Sequence, residues 1–168
     1  MEAIMFDFSL NSKGLPYIDP LHPVVVHFVI AMVLFSFCCD LIGYFTHHHK
    51  LFEVSFWNLV VASVAIFVAV ILGQFEAGLA NIYTAAQPTL NLHTITGWLL
   101  AGILVVVTAW RLIIRTHSSL KIPAMYLGTS TCLSILVFFQ MMLGSRLVWI
   151  YGLHVQPVVE AMKRGSGQ

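Results

Sequence analysis

Four stretches of the chain, roughly residues 23–45, 55–75, 92–114 and 126–151, are predominantly apolar over about 20 residues or more. A bilayer core is about 30 Å thick and a helix rises about 1.5 Å per residue, so each stretch is long enough to cross it. The segments "THHHKLFE" and "RTHSSLKIP" that join the first to the second and the third to the fourth are short, which makes consecutive helices antiparallel neighbours. The expected fold is an all-α membrane protein, an up-and-down bundle of four transmembrane helices in one domain, without an internal repeat. It occupies residues 21–155, between an N-terminal tail over 1–20 and a C-terminal tail over 156–168. In the first tail Ile4, Met5, Phe6, Phe8 and Leu10 suit either an interfacial segment or a disordered one, and no basic region or small-residue cleavage site marks a signal peptide.

Composition agrees with that pattern. The chain of 168 residues is 59% hydrophobic and 9% charged, with a mean hydropathy of +0.89, against about 25% charged residues in soluble domains. A net charge of +1 provides no basic field for nucleic acid, so the expected partners are the lipid bilayer, other membrane components or a small ligand. Cys38, Cys39 and Cys132 fall inside apolar runs without a C-x-x-C spacing, which argues against disulfides, an iron–sulfur cluster or covalent haem and for buried, inert thiols.

The polar residues change the picture. With four spans, the start of the first, the end of the second, the start of the third and the end of the fourth lie on one side of the membrane. Those four ends carry His22 and His27, Gln74 and Glu76, His93, and Arg146, Tyr151 and His154. Lys50, Arg111, Arg115 and Lys121 fall on the other side, against Lys13, Lys163 and Arg164 on the histidine side. The excess of basic residues favours the far side as cytoplasmic, so the cluster and both termini are expected on the non-cytoplasmic side of a bacterial-type inner or energy-transducing membrane.

Histidine at membrane depth is costly unless it faces the bundle interior and finds a partner, which makes these imidazoles functional candidates. Pro23 suits a first helical turn and biases His22 toward the cap, leaving His27 about a turn deeper beside Val26, Phe28 and Val29. Five residues separate the two histidines, or roughly 140° around a helix, so they are expected to do different work. His93 is followed at i+4 and i+8 by Gly97 and Ala101; that strip either lets a flat macrocycle lie beneath the imidazole or permits close helix packing. Neutral imidazoles from two helices are good axial ligands for haem, and His27 with His93 is the expected pair, with His22 and His154 as supporting partners or ligands of a second haem. Arg146 suits a propionate or a surface position. Copper or zinc is the alternative, with Glu76 completing a nitrogen and oxygen set; Glu76 also suits a proton relay, an ion pair with Arg146, or plain solvation. His47, His48, His49 and His117 read as solvated loop, and Trp57, Trp98, Trp110, Trp149, Tyr44, Tyr83, Tyr126 and Tyr151 as headgroup anchors near span ends.

"LHPVVVHFVIA" resembles the H-P-x-x-x-H-F-x-I-A signature that opens the family known as domain of unknown function 2231, bacterial membrane proteins with four predicted spans. His93 at the head of the third span continues the likeness, as does "GSRLVWIYG", which is similar to the family's G-x-x-L-V-aromatic-x-His-Gly ending. The resemblance runs from Leu21 to about Val155, with one departure: Tyr151 stands where the family ending has histidine, and His154 follows three residues later. Similarity to small membrane b-type cytochromes, and related domains beside electron-transfer modules, imply a redox role. The expected function is therefore a haem b-binding electron carrier or subunit of a redox complex rather than a stand-alone enzyme. The alternatives are a non-haem metal or proton-handling protein and a cofactor-free structural subunit.

Overall fold

The computed structural model describes residues 21–79, 82, 84–117, 121–153, 155 and 164–165. The two expected tails therefore fall almost wholly outside the described residues, as do His154 and Tyr83. Four helices make up nearly all of the rest: α1 (Leu21–Thr46), α2 (His49–Leu79), α3 (Gln87–His117) and α4 (Ala124–Trp149). All four are long and apolar enough to cross a membrane. They extend the apolar stretches by a few residues at most ends, because helix continues into the polar border where water and headgroups satisfy its last backbone groups.

Local sequence sets the starts and stops. Pro23 lies in the first turn of α1 and Pro88 in that of α3, positions where the missing N–H removes no helical bond. Pro123 caps α4 from an extended conformation, φ −64° and ψ 141°. Between α1 and α2 the turn is only His47 and His48, with His47 in the left-handed region at φ 59°. The triple-histidine tract is thus a tight connector whose three side chains are all exposed, and His49 already belongs to α2.

Each helix packs on the next, and α4 packs back on α1, so the four form a closed ring; the diagonal pairs make no close backbone approach among the described residues. The interior is a continuous apolar core that includes Val33, Leu59, Ala62, Leu104, Val107 and Leu133. Outward faces are equally apolar, with Phe35, Val64, Phe75, Val106 and Met142 all exposed. A helix that is apolar all round and open on one side has lipid as its solvent. Small hydroxyl residues tie the helices together within this medium: Ser36 Oγ lies 2.9 Å from Ser55 Oγ, and Ser63 Oγ 2.7 Å from Thr108 Oγ1. Cys39 is buried, whereas Cys38 and Cys132 face outward, so the expectation of three buried thiols holds for one of them.

Candidate cofactor site

At the end of the bundle where α1 and α3 begin, the four helices leave a cavity of about 400 Å³. His22, His27, Glu76, Gln74, His93, Gly97 and Gln140 all line it, among mainly apolar neighbours that include Val26, Ile30, Leu100 and Val137. Parity of the spans therefore brings together the residues it was expected to bring together. Arg146 and Tyr151 are exceptions, since neither lines the cavity and Arg146 is exposed, while His154 lies outside the described residues.

The pairing differs from the expected one. His93 faces His22, ring centroids 6.2 Å apart and planes nearly perpendicular at 88°. His27 is exposed, and its Nδ1 donates within its own helix to the Pro23 carbonyl at 2.6 Å. Helical phase explains the exchange. The buried side of α1 runs through Val29, Val33, Ser36 and Asp40, and two turns back from Val29 that side reaches His22. Five residues from His22, His27 is rotated out of register, and its greater depth does not compensate.

Two of the three glycines beside the cavity are shaped around the imidazoles. A Cβ on Gly73 would lie 2.8 Å from His22 Cε1, and one on Gly144 would lie 3.3 Å from His93 Cε1. Gly97 has a different use from the expected one, since a Cβ there would meet the Gln140 amide nitrogen at 3.1 Å. Ala101 beyond it is fully buried in the core. The strip beneath His93 is thus filled by Gln140 and by helix packing.

Hydrogen bonds orient both rings. His22 Nδ1 donates to the Ala69 carbonyl at 2.6 Å. Gln140 Nε2 lies 3.1 Å from His93 Nδ1 and donates to the His93 carbonyl at 2.8 Å, while the Thr96 hydroxyl bonds the Gln140 amide oxygen. The Nε2 atoms of both imidazoles have no hydrogen-bond partner among the described residues. Glu76 Oε1 accepts the backbone N–H of His22 at 2.8 Å, which satisfies one of the orphan donors of the α1 N-terminus and places negative charge where the helix dipole favours it. Glu76 and Arg146 do not pair among the described residues. Nor do three or more His, Cys, Asp or Glu side chains there gather closely enough to hold a metal by themselves.

Tyr151, where the resemblance implies a histidine, is half-buried near Thr89, whose hydroxyl donates to the Tyr151 hydroxyl at 3.4 Å. Gly152 follows in the left-handed conformation at φ 61°, and the Leu153 N–H turns back to the Leu147 carbonyl at 3.0 Å. This turn, which glycine adopts without Cβ strain, lays Leu153 against Ala86 and Leu147 as part of the cavity wall.

A second polar centre, not singled out in the sequence, lies toward the opposite end. Asp40, Arg111 and Tyr126 are 0%, 3% and 0% exposed, so Tyr126 is a core residue rather than a headgroup anchor. Arg111 reaches Asp40 Oδ1 at 3.3 Å and the Phe52 carbonyl at 2.9 Å, and its guanidinium lies 5.6 Å and 5.5 Å from the Phe52 and Tyr126 ring centres. One helical turn further, Arg115 makes a bidentate pair with Glu53 at 2.8 to 3.1 Å.

No curated protein and no solved structure matches the chain. The family model described as "Predicted membrane protein (DUF2231)" matches residues 18–157, a span that includes all four helices and both facing imidazoles, and the chain belongs to that family.

Proposed function

We propose that the protein is a membrane electron-transfer subunit that holds haem b noncovalently between His22 and His93. The separation of the two rings carries this reading. An imidazole nitrogen sits about 2 Å from a bound metal and the ring centre roughly 1.1 Å farther, so two imidazoles on opposite sides of one ion have centres about 6 Å apart. The observed separation is 6.2 Å. Haem brings a one-electron iron couple and four nitrogen ligands of its own, which leaves two positions for protein. Two facing imidazoles, with no group of three or more His, Cys, Asp or Glu gathered closely enough to hold a metal among the described residues, suit that need better than they suit copper or zinc.

The remaining residues do supporting work. The Ala69 carbonyl accepts from Nδ1 of His22, as the outer partners of metal-binding histidines do, and Gln140 lies against Nδ1 of His93, so Nε2 is the nitrogen each ring leaves for a ligand. Gly73 and Gly144 leave the rings room to stand. Val26, Ile30, Leu100 and Val137 offer an apolar wall to a flat hydrophobic ring and keep water from it. In the orientation favoured by the basic residues, both termini and the cavity lie on the non-cytoplasmic side of a bacterial-type energy-transducing membrane, where the donor or acceptor is another redox protein or the rest of a larger complex.

The test is a reduced-minus-oxidised spectrum of protein purified gently from haem-replete cells. Sharp bands of a b-type haem are expected, lost or converted to a single-histidine form in His22→Ala and in His93→Ala, and retained in His27→Ala. Full haem content in His22→Ala overturns the assignment. Stoichiometric copper or zinc in place of haem replaces it with the metal alternative.

A further inference from the structure

We propose that Gln140 is a positioning residue that fixes the tautomer of His93, so that His22 presents a bare nitrogen to the cavity while His93 presents an N–H. The argument starts from the amide. Its Nε2 lies 2.8 Å from the His93 carbonyl oxygen, which can only accept. A reversed amide would put two oxygens at that distance, so the NH₂ group must face the carbonyl. The same NH₂ group lies 3.1 Å from His93 Nδ1. That ring nitrogen is therefore an acceptor, and a neutral imidazole that accepts on Nδ1 carries its proton on Nε2. On the other side the Thr96 hydroxyl holds the amide oxygen.

The seat for this amide is built into the helices. A Cβ at position 97 would come within 3.1 Å of the amide nitrogen, so the glycine on α3 leaves the space that the glutamine on α4 enters. His22 has the opposite arrangement. The Ala69 carbonyl at 2.6 Å from its Nδ1 can only accept, which puts the His22 proton on Nδ1 and leaves Nε2 with a free lone pair. Two imidazoles that face each other across one gap are thus held in different tautomers by different kinds of partner.

The consequence for a metal rests on the haem reading above. A ligating nitrogen must be unprotonated. His22 meets that requirement as it stands. His93 must move its proton to Nδ1, and the Gln140 amide must turn, giving up its bond to the His93 carbonyl and leaving an oxygen beside it. One lost hydrogen bond and one unpaired carbonyl weaken ligation by His93 roughly 10-fold relative to His22. His93 is then the replaceable ligand, and Gln140 decides how firmly it holds.

The experiment begins without haem. Protein labelled with ¹⁵N in histidine, in lipid at about pH 8 where an ordinary imidazole is neutral, should show His93 protonated on Nε2 and His22 on Nδ1. Gln140→Glu in its carboxylate form offers His93 only acceptor oxygens and should move its proton to Nδ1; Gln140→Leu should leave a mixture. In haem-loaded protein, Gln140→Glu should raise the ratio of six-coordinate to five-coordinate haem roughly 10-fold. A wild-type His93 protonated on Nδ1 overturns the proposal, as does a Gln140→Glu protein with the wild-type tautomer. If none of these proteins binds haem, the haem reading falls, while the tautomer measurement still decides the role of Gln140.

Discussion

Where α1 begins, His22 and His93 each keep a ring nitrogen unbonded beside a cavity of about 400 Å³; toward its other end, Asp40 and Arg111 meet at 3.3 Å with 0% and 3% of their side chains exposed. Val33, Leu59, Ala62, Leu104, Val107 and Leu133 fall between the two centres in the register of the helices and are all buried. The contrast follows from what each group costs to bury. A neutral imidazole can be left with an idle nitrogen at moderate cost, and that nitrogen is then available to a ligand. A buried carboxylate or guanidinium has no such freedom, because its charge must be answered by an opposite charge and by hydrogen bonds. The first centre keeps unbonded nitrogens beside open space, whereas the second draws together side chains of all four helices. Even the second is incompletely satisfied, since Asp40 Oδ2, Arg111 Nε and the Tyr126 hydroxyl have no partner in good hydrogen-bond geometry among the described residues.

The sharpest way to break this comparison is to remove the charge that answers Arg111. In Asp40→Ala the guanidinium keeps the Phe52 carbonyl at 2.9 Å and the Phe52 and Tyr126 rings, but its charge is left buried and unpaired. We predict a loss of about 3–5 kcal/mol, the usual cost of breaking a buried pair from one side, read as a lower unfolding midpoint in detergent. The double variant Asp40→Ala/Arg111→Met should recover most of it, because a buried pair replaced by apolar groups is often neutral. An Asp40→Ala protein as stable as wild type would mean that the pair is idle.

How far the two centres could be read from sequence differs for a physical reason. The number of helices and the gathering of His22, His27, Glu76 and His93 at one end follow from apolar length and parity, which depend only on order along the chain. The choice of His22 over His27 depends on helical phase, and phase is hard to see when a helix is apolar on every side. The clue was nevertheless present, in Ser36 and Asp40 as the polar residues of α1 that recur in step with His22. The same parity also places the end of the first span beside the end of the third, so Asp40 and Arg111 were candidates for pairing. By sequence alone Arg111 reads as one of the basic residues of the far side, and Tyr126 as a headgroup anchor, because position near a span end does not reveal which way a side chain points. The role of Gln140 was not legible, since it depends on a contact of less than 3.5 Å between two helices.

At the cavity end, the space around His22 is the next target. In Gly73→Ala the new methyl would lie 2.8 to 2.9 Å from Cε1 and Nδ1 of that ring, so the imidazole must move and its bond to the Ala69 carbonyl must lengthen. Overpacking of this kind costs about 1–3 kcal/mol. We predict that it falls mainly on cofactor retention, measured as haem per protein after purification. Gly78→Ala on the same helix is the control, because no atom of the described residues lies within 4 Å of a Cβ there. Equal retention in the two variants would show that the fit around His22 is not selective. Glu76→Ala should have a smaller effect: it removes one cap from α1, worth about 1 kcal/mol, and lets the first turn that carries His22 fray, visible as faster amide exchange at His22 than at Val33.

The smallest expected effect is also the one that separates the two centres most cleanly. Tyr126 is fully buried, and its ring lies against Arg111 at 5.5 Å and Trp110 at 5.6 Å, yet its hydroxyl has no partner in good hydrogen-bond geometry among the described residues. Tyr126→Phe keeps both ring contacts and deletes only the unsatisfied oxygen. If a buried polar atom without a partner is a cost, its removal should be neutral or stabilising by up to about 1 kcal/mol, and the unfolding midpoint should stay level or rise. A fall of more than about 1 kcal/mol would show that the hydroxyl bonds to Asp40 or to a trapped water in the membrane. The Asp40–Arg111 centre would then be a satisfied network rather than a strained clasp. Haem content should not change in either case, because the apolar layer around Leu104 and Leu133 separates Tyr126 from the imidazoles. A Tyr126→Phe protein that lost its haem would erase the distinction between the two ends.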